Sequence, residues 1–232
     1  AVTVGVGFFG LSSVTGYIWF AFLGAAAATL LVYFIGASTS GSVNPVALVL
    51  AGVALAAVLG GVTSFLTLID PETFESIRNW NLGSVARTDL SDTVTVLPFL
   101  AVGLAIALLL SGALNSIALG DDLAASLGTK VMRTRVLGII SVTLLAGGAT
   151  ALTGGIGFVG LMVPHVVRWV VGPDQRWIIT FSALCAPVLV LGADILGRII
   201  ARPGEIEVGI VTAVIGAPVL IALVRRRKAS GL

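Results

Sequence analysis

No Asp, Glu, Lys, Arg or His occurs anywhere in residues 1–69, which instead run through stretches such as Ala25-Ala26-Ala27-Ala28 and Leu48-Val49-Leu50. A soluble domain carries charge on roughly 25% of its residues and cannot leave so long a segment bare. Over the whole chain 57% of residues are hydrophobic and 10% are charged. That balance excludes a disordered polyelectrolyte, a disulfide scaffold and a water-soluble enzyme core. A bilayer core about 30 Å thick takes roughly 20 apolar residues as a helix, so the chain has material for about eight spans. A barrel would alternate apolar and polar residues along each strand, and Ile106-Ala107-Leu108-Leu109-Leu110 does not. The fold class is all-α, a polytopic transmembrane helical bundle formed by one domain over 1–232.

Breaks at charge, Pro, Asn and Gly predict helices near 2–16, 18–36, 45–69, 93–113, 136–153, 156–171, 177–200 and 207–225. Five loops with sequence character, 36–44, 70–92, 118–135, 172–176 and 201–207, alternate sides, with one short reversal near Gly154-Gly155. Residue 1 is Ala, with no basic region of the kind that opens a signal peptide, so the chain reads as the later portion of a longer membrane protein.

Charge placement orients the spans, because Lys and Arg near span ends stay in the cytoplasm. Taking the tail Arg225-Arg226-Arg227-Lys228 as cytoplasmic places Lys130, Arg133, Arg135, Arg168 and Arg176 there as well. Arg78, Arg87, Arg198 and Arg202 then lie outside, among Asp70, Glu72, Glu75, Asp89, Asp92, Asp194, Glu205 and Glu207. The basic tail is a topology anchor, and nucleic acid is not an expected partner. The single Cys185 sits in an apolar run and allows neither an internal disulfide nor a thiolate cluster.

Glycine, at 29 of 232 residues, is spread through the predicted helices. Spacings such as Gly52-xxx-Ala56-xxx-Gly60 put small residues on one helix face, and close helix packing is the simplest reading. Two G-x-G-x-x-G matches, at 5–10 and 155–160, lack the preceding strand of a dinucleotide site, and Thr180 stands where the second would need an acid. His165 has no carboxylate or cysteine within a helical turn and reads as a helix-end or packing residue, with no metal site.

Two features remain open on residues alone. Asp194 and Arg198, spaced i, i+4, form either a paired helix terminus or a docking point for something acidic outside. In Ala118–Arg135, Leu119, Leu123 and Leu127 recur every four residues, with Asp121 and Asp122 near the start of a possible helix and Gly128 as its stop. This segment is either an interfacial helix or a surface gripped by a partner subunit.

The strings Leu48–Leu55, Trp80–Ser84, Ala118–Gly120 through Ser126–Gly128, Gly155–Arg168 with Gly172–Arg176, and Glu205–Pro218 resemble the permease subunits of the FecCD/BtuC type, bacterial ABC importers for ferric siderophores, haem and vitamin B12. The family subunit has ten helices, and its amino-terminal third carries an Arg-x-Pro-Arg element and an Asn-Pro-Leu-Ala motif that precede the matched region. Gln175 stands where the family usually has His, and Glu207 where it usually has Pro.

The resemblance implies a coupling segment over 115–135 that seats on a cytoplasmic ATP-binding subunit, with Leu119, Gly120, Asp121, Leu123, Ala124, Leu127 and Gly128 as its contact residues. It implies that Arg198, held by Asp194, pairs with a glutamate of a periplasmic or lipoprotein substrate-binding protein. A second permease subunit would complete a pathway lined by Gly52, Ala56, Gly60, Thr212 and Gly216. No cofactor is expected in this chain, since ATP and Mg2+ would belong to the ATPase subunit. The expected function is import of an iron(III)–siderophore complex across the bacterial inner membrane, with B12 or haem as alternative cargo. An ion-gradient transporter would need acids at mid-membrane, and a membrane-embedded enzyme a nucleophile–base set or clustered ligands.

Overall fold

A computed structural model describes residues 1–10, 13–37, 45–69, 80–86, 88–204 and 206–229. Among these the chain is helical, with nine helices: α1 (Val2–Phe9), α2 (Val14–Ala37), α3 (Pro45–Ile69), α4 (Leu90–Ile117), α5 (Asp121–Ser126), α6 (Val131–Thr153), α7 (Val159–Val171), α8 (Gln175–Ile200) and α9 (Val208–Ala229). Asp70, Glu72, Glu75, Arg78, Arg87 and Glu205 lie outside the described residues.

By length and composition α2, α3, α4, α6 and α8 can cross a bilayer. The 13 residues of α7 reach only about 20 Å at 1.5 Å per residue, two thirds of a hydrocarbon core. The apolar part of α9 is likewise shorter, covering Val208–Ala222. The expected first helix at 2–16 is divided. Gly10 adopts the left-handed conformation at φ 62° and stops α1. Ser13 then caps α2, its Oγ accepting from the Gly16 amide at 3.3 Å.

The helices gather into two compact units. The first comprises 1–79, 89–104 and 138–152, and the second 80–88, 105–137 and 153–232. Small residues let the helices of the first unit approach. A Cβ on Gly148 would meet Val96 and Leu100, and one on Gly103 would meet Leu144 and Leu145. Ser141 Oγ donates across this contact to the Gly103 carbonyl at 2.8 Å, and the Tyr17 hydroxyl reaches the Ala151 carbonyl at 3.2 Å. Phe99 closes the cluster against Trp19 and Phe22, with ring centroids 6.3 and 4.9 Å away. The predicted role of glycine in close helix packing therefore holds at α4 and α6.

The second unit is organised around a backbone junction. Residues 154–158 leave the helical ladder between α6 and α7 and run beside Trp80–Ser84 and the first turn of α9. Ser84 N donates to Thr153 O at 2.8 Å, Gly155 N to Trp80 O at 3.2 Å, and Gly209 N to Gly83 O at 3.4 Å. These bonds satisfy amides that no helix provides for. The approach leaves no room for side chains, since a Cβ on Gly154 would strike the Trp80 carbonyl and one on Gly209 the Leu82 carbonyl. Around the junction α7, α8 and α9 pack together, burying Met162, Val163, Val167, Ile178, Ala193 and Val208.

Replacing Gly209 by Ala should destabilise the detergent-solubilised protein by about 1–3 kcal/mol, the usual cost of overpacking. Gly192, with open space around its Cβ position, should accept Ala with no loss, or with a gain of up to about 1 kcal/mol from helix propensity. Thermal unfolding of the two variants checks this, and equal melting temperatures would refute the junction's role.

Candidate functional site

The loop between α4 and α6 is a hydrogen-bonded turn with a short helix inside it. The last turn of α4 tightens through Leu119 N to Ser116 O and Gly120 N to Ile117 O, both 3.0 Å. Gly120, at φ 108°, then redirects the chain into α5, whose first bond runs from Ala124 N to Gly120 O at 2.9 Å. Gly128 ends α5 at φ 83° in a Schellman arrangement, with Thr129 N bonded to Ala124 O and Gly128 N to Ala125 O. Gly128 thus acts as the expected stop.

Within this turn Ala124 is fully buried, while Leu119, Leu123 and Leu127 remain 63, 49 and 62% exposed. The helix itself covers only Asp121–Ser126, so Leu119 and Leu127 flank it. Arg135 at the start of α6 grips Asp121, Nη2 to Oδ2 at 2.6 Å, and anchors α5 to the next helix. Three large apolar side chains therefore project from a braced turn at a loop end, where solvent would otherwise favour polar residues.

The same end of the second unit holds a contact that sequence reasoning missed. Asn115 Nδ2 donates to Asp174 Oδ1 at 2.8 Å, and Asn115 Oδ1 accepts from the Gln175 amide at 2.8 Å. Asp174 is the N-cap of α8, its Oδ1 also accepting from Arg176 N at 2.9 Å. The Asn115 hydrogen bond, then that of the Arg176 amide, hold the Asp174 carboxyl below the ordinary carboxylate range. A depressed carboxyl contributes its stabilisation above the unfolded value and loses it as pH falls through the folded one, so the contact is complete at neutral pH. The cap was readable in Gly172-Pro173-Asp174, but a partner 59 residues away was not.

This contact also places loops 118–135 and 172–176 at one end of the unit, the grouping expected from Lys130, Arg133, Arg135 and Arg176. The 26 residues of α8 carry the chain about 39 Å to the other end, where Asp194 and Arg198 lie. Arg198 Nε donates to Asp194 Oδ2 at 2.9 Å; the aspartate side chain is 16% exposed and the arginine side chain 50%. The acid is thus largely covered while half of the arginine surface is presented.

The remaining expected positions divide. Gly52, Ala56 and Gly60 lie along α3, where Ala56 and Gly60 are exposed and no atom comes near a Cβ position on Gly52 or Gly60. Only 6% of the apolar window of α3 is covered. Thr212 and Gly216 are buried instead: Thr212 Oγ1 donates to Gly209 O at 3.1 Å, and a Cβ on Gly216 would meet Phe158 at 2.7 Å. Both pack within the second unit and present no open surface. His165 Nδ1 lies 2.6 Å from Leu161 O on its own helix, and the ring is exposed. The 155–160 glycine match contains the turn into α7, with Phe158 at φ 67°, rather than a strand-to-helix phosphate loop.

Residues 1–226 match the FecCD transport family. The chain is 48% identical to the ferric enterobactin transport system permease protein FepD of Escherichia coli K12 over 232 residues, all of this chain and 69% of that protein. It is 39% identical over 207 residues to the Fe(3+)-citrate import system permease protein YfmD of Bacillus subtilis 168, 89% of this chain and 61% of the relative. The cobalamin import system permease protein BtuC of Halobacterium salinarum is 38% identical over 212 residues, 91% of this chain and 57% of its own length. A solved structure of an inward-facing metal-chelate type ABC transporter superposes with a TM-score of 0.81 at 29% identity, covering 97% of this chain and 72% of that one. The chain thus spans 57–69% of the length of these curated relatives. With five helices fit to cross a bilayer among the described residues, it is a multi-pass inner-membrane protein. It belongs to the FecCD transport family.

Proposed function

We propose that this chain is the permease subunit of an ABC importer that carries an iron(III)–siderophore complex across the bacterial inner membrane. The observation that carries this reading is 48% identity along its entire length to a ferric enterobactin permease, against 38% for a cobalamin permease and 32% for the hemin permease HmuU of Yersinia pestis. The chain is a transport component without a reaction of its own. ATP and Mg2+ would be held by a cytoplasmic ATP-binding subunit.

On this reading the exposed turn at 119–128, within the 115–135 segment, seats on that ATPase, with Leu119, Leu123 and Leu127 as the apolar contacts and Ala124 holding the turn against its own unit. At the opposite end of α8, Arg198, steadied by Asp194, meets an acidic group on a substrate-binding protein. A second permease subunit covers the small-residue face of α3 at Gly52, Ala56 and Gly60, and the cargo passes between the two copies. Thr212 and Gly216 serve that pathway by holding α9 in place. ATP moves the equilibrium between outward and inward openings only through different affinities for the two states, so a braced turn is the form a coupling surface requires.

The cargo is tested by uptake of iron-labelled siderophores and hemin and of cobalt-labelled cobalamin in a strain deleted for the gene encoding this chain and complemented with it. Ferric siderophores, with ferric enterobactin first among them, should restore uptake, while hemin and cobalamin should not; transport of cobalamin alone would overturn the cargo assignment. Leu123→Asp or Leu127→Asp should cut uptake about five- to thirtyfold, the cost of an apolar interface anchor worth about 1–2 kcal/mol, without loss from the membrane. Unchanged uptake in both would sink the ATPase-docking role. Arg198→Glu should weaken binding-protein affinity, and a compensating acidic-to-basic change on the partner should recover it; binding indifferent to the charge would leave Arg198 a helix-end ion.

A further inference from the structure

Asn115 uses both faces of its amide on one target. Its Nδ2 donates to Asp174 and its Oδ1 accepts from the Gln175 amide, each at 2.8 Å. A two-point contact fixes orientation as well as distance, and it falls on the N-cap that defines where α8 begins. On the other side, Asn115 is joined to the exposed turn by an unbroken hydrogen-bonded backbone. Ala118 N bonds to Leu114 O, Gly120 N to Ile117 O and Ala124 N to Gly120 O, each within 3.0 Å. The Arg135–Asp121 pair then ties α5 to α6. The end of α4, the exposed turn, the start of α6 and the start of α8 thus form one braced block. Within it, the Asn115 amide supplies the side-chain hydrogen bonds that fasten α4 to the start of α8.

We infer that Asn115 is a positioning residue that transmits the state of the ATPase-facing turn to α8, and through that helix, about 39 Å long, to its Asp194–Arg198 end. This rests on the permease reading above. Coupling between two distant ends needs a physical connection that both ends bias. The helix runs continuously from Gln175 to Ile200 with Pro187 inside it, so a displacement imposed at Asp174 is carried along the helix, through that position, towards Arg198. Severing the contact should leave each end competent to bind its partner and remove the communication between them.

The donor–acceptor pattern supplies the test. Asn115→Asp places a carboxylate against that of Asp174 and breaks the contact. Adding Asp174→Asn removes the like-charge contact and restores the bond across the helices with the roles exchanged. Asp174 Oδ1 alone accepts from both Asn115 Nδ2 and Arg176 N, so the exchange gives up the bond to Arg176 N. The carboxylate introduced at position 115 would accept from the Gln175 amide and from the side-chain amide introduced at position 174, whose NH2 then stands where Oδ1 accepted from Arg176 N. The complete transporter, assembled with its ATPase and binding protein in proteoliposomes, is assayed for ATPase rate with and without the liganded binding protein. Asn115→Asp should retain basal hydrolysis and subunit assembly but lose about tenfold in binding-protein-stimulated rate, a coupling of ordinary size. The double variant should regain part of it, and Asn115→Ala, which removes the bonds without adding charge, should lose less than Asn115→Asp. Full stimulation in Asn115→Asp, or an exchanged pair no better stimulated than Asn115→Asp, would overturn the inference. So would loss of assembly in both single variants, which would make Asn115 a folding residue alone. ATPase stimulation does not depend on which chelate is carried, so an error in the cargo assignment would appear as absent iron uptake by the wild type and leave this outcome intact.

Discussion

Every backbone N–H and C=O of a membrane chain must find a partner within the protein, and the rest of this structure follows from how that demand is met. Along α2, α3, α4, α6 and α8 the helical ladder meets it locally. Between α6 and α7 it is met by Trp80–Ser84 and the start of α9, through bonds at Ser84, Gly155 and Gly209. Such bonds need backbones in contact, and backbones touch only where there is no Cβ. The glycines at 83, 154, 155 and 209 are therefore a consequence of hydrogen bonding where helices stop, beyond their role in helix packing.

The same demand explains why the polar groups cluster. Lipid offers helices no hydrophobic reason to associate, so tight packing and a few hydrogen bonds must hold them. In the first unit this takes the form of Ser141 on the Gly103 carbonyl and Tyr17 on the Ala151 carbonyl. In the second, Asn115 on the α8 N-cap and Arg135 on Asp121 fasten one end, and Arg198 with Asp194 marks the other. For a transporter, fastened ends joined by stiff helices are what allow a partner's motion on one side to be felt on the other.

Much of this was legible beforehand. The all-helical class, most helix positions, the grouping of Lys130, Arg133, Arg135 and Arg176, and the resemblance to ferric-siderophore permeases all rest on local signals: apolar length, charge at span ends and contiguous strings. The break inside the expected 2–16 helix was also signalled, by Gly10 and by Ser13 as an N-cap, but such signals are hard to tell from the glycines that do not end helices. Thr212 and Gly216 are the instructive pair. Their residue types suit a channel wall and a helix contact equally, and only the position of Phe158 and the Gly209 carbonyl assigns them to packing.

The sequence by itself determined that this chain lives in a bilayer as helices and which of its ends carry charge, because hydropathy and charge act residue by residue and need no knowledge of neighbours. Tertiary structure alone decided which leucines stand exposed on the 118–128 turn while Ala124 is buried, which glycines touch backbone, and that Asn115 meets a helix cap 59 residues later. A hydrogen bond acts over about 3 Å in space and carries no mark of its partner along the chain.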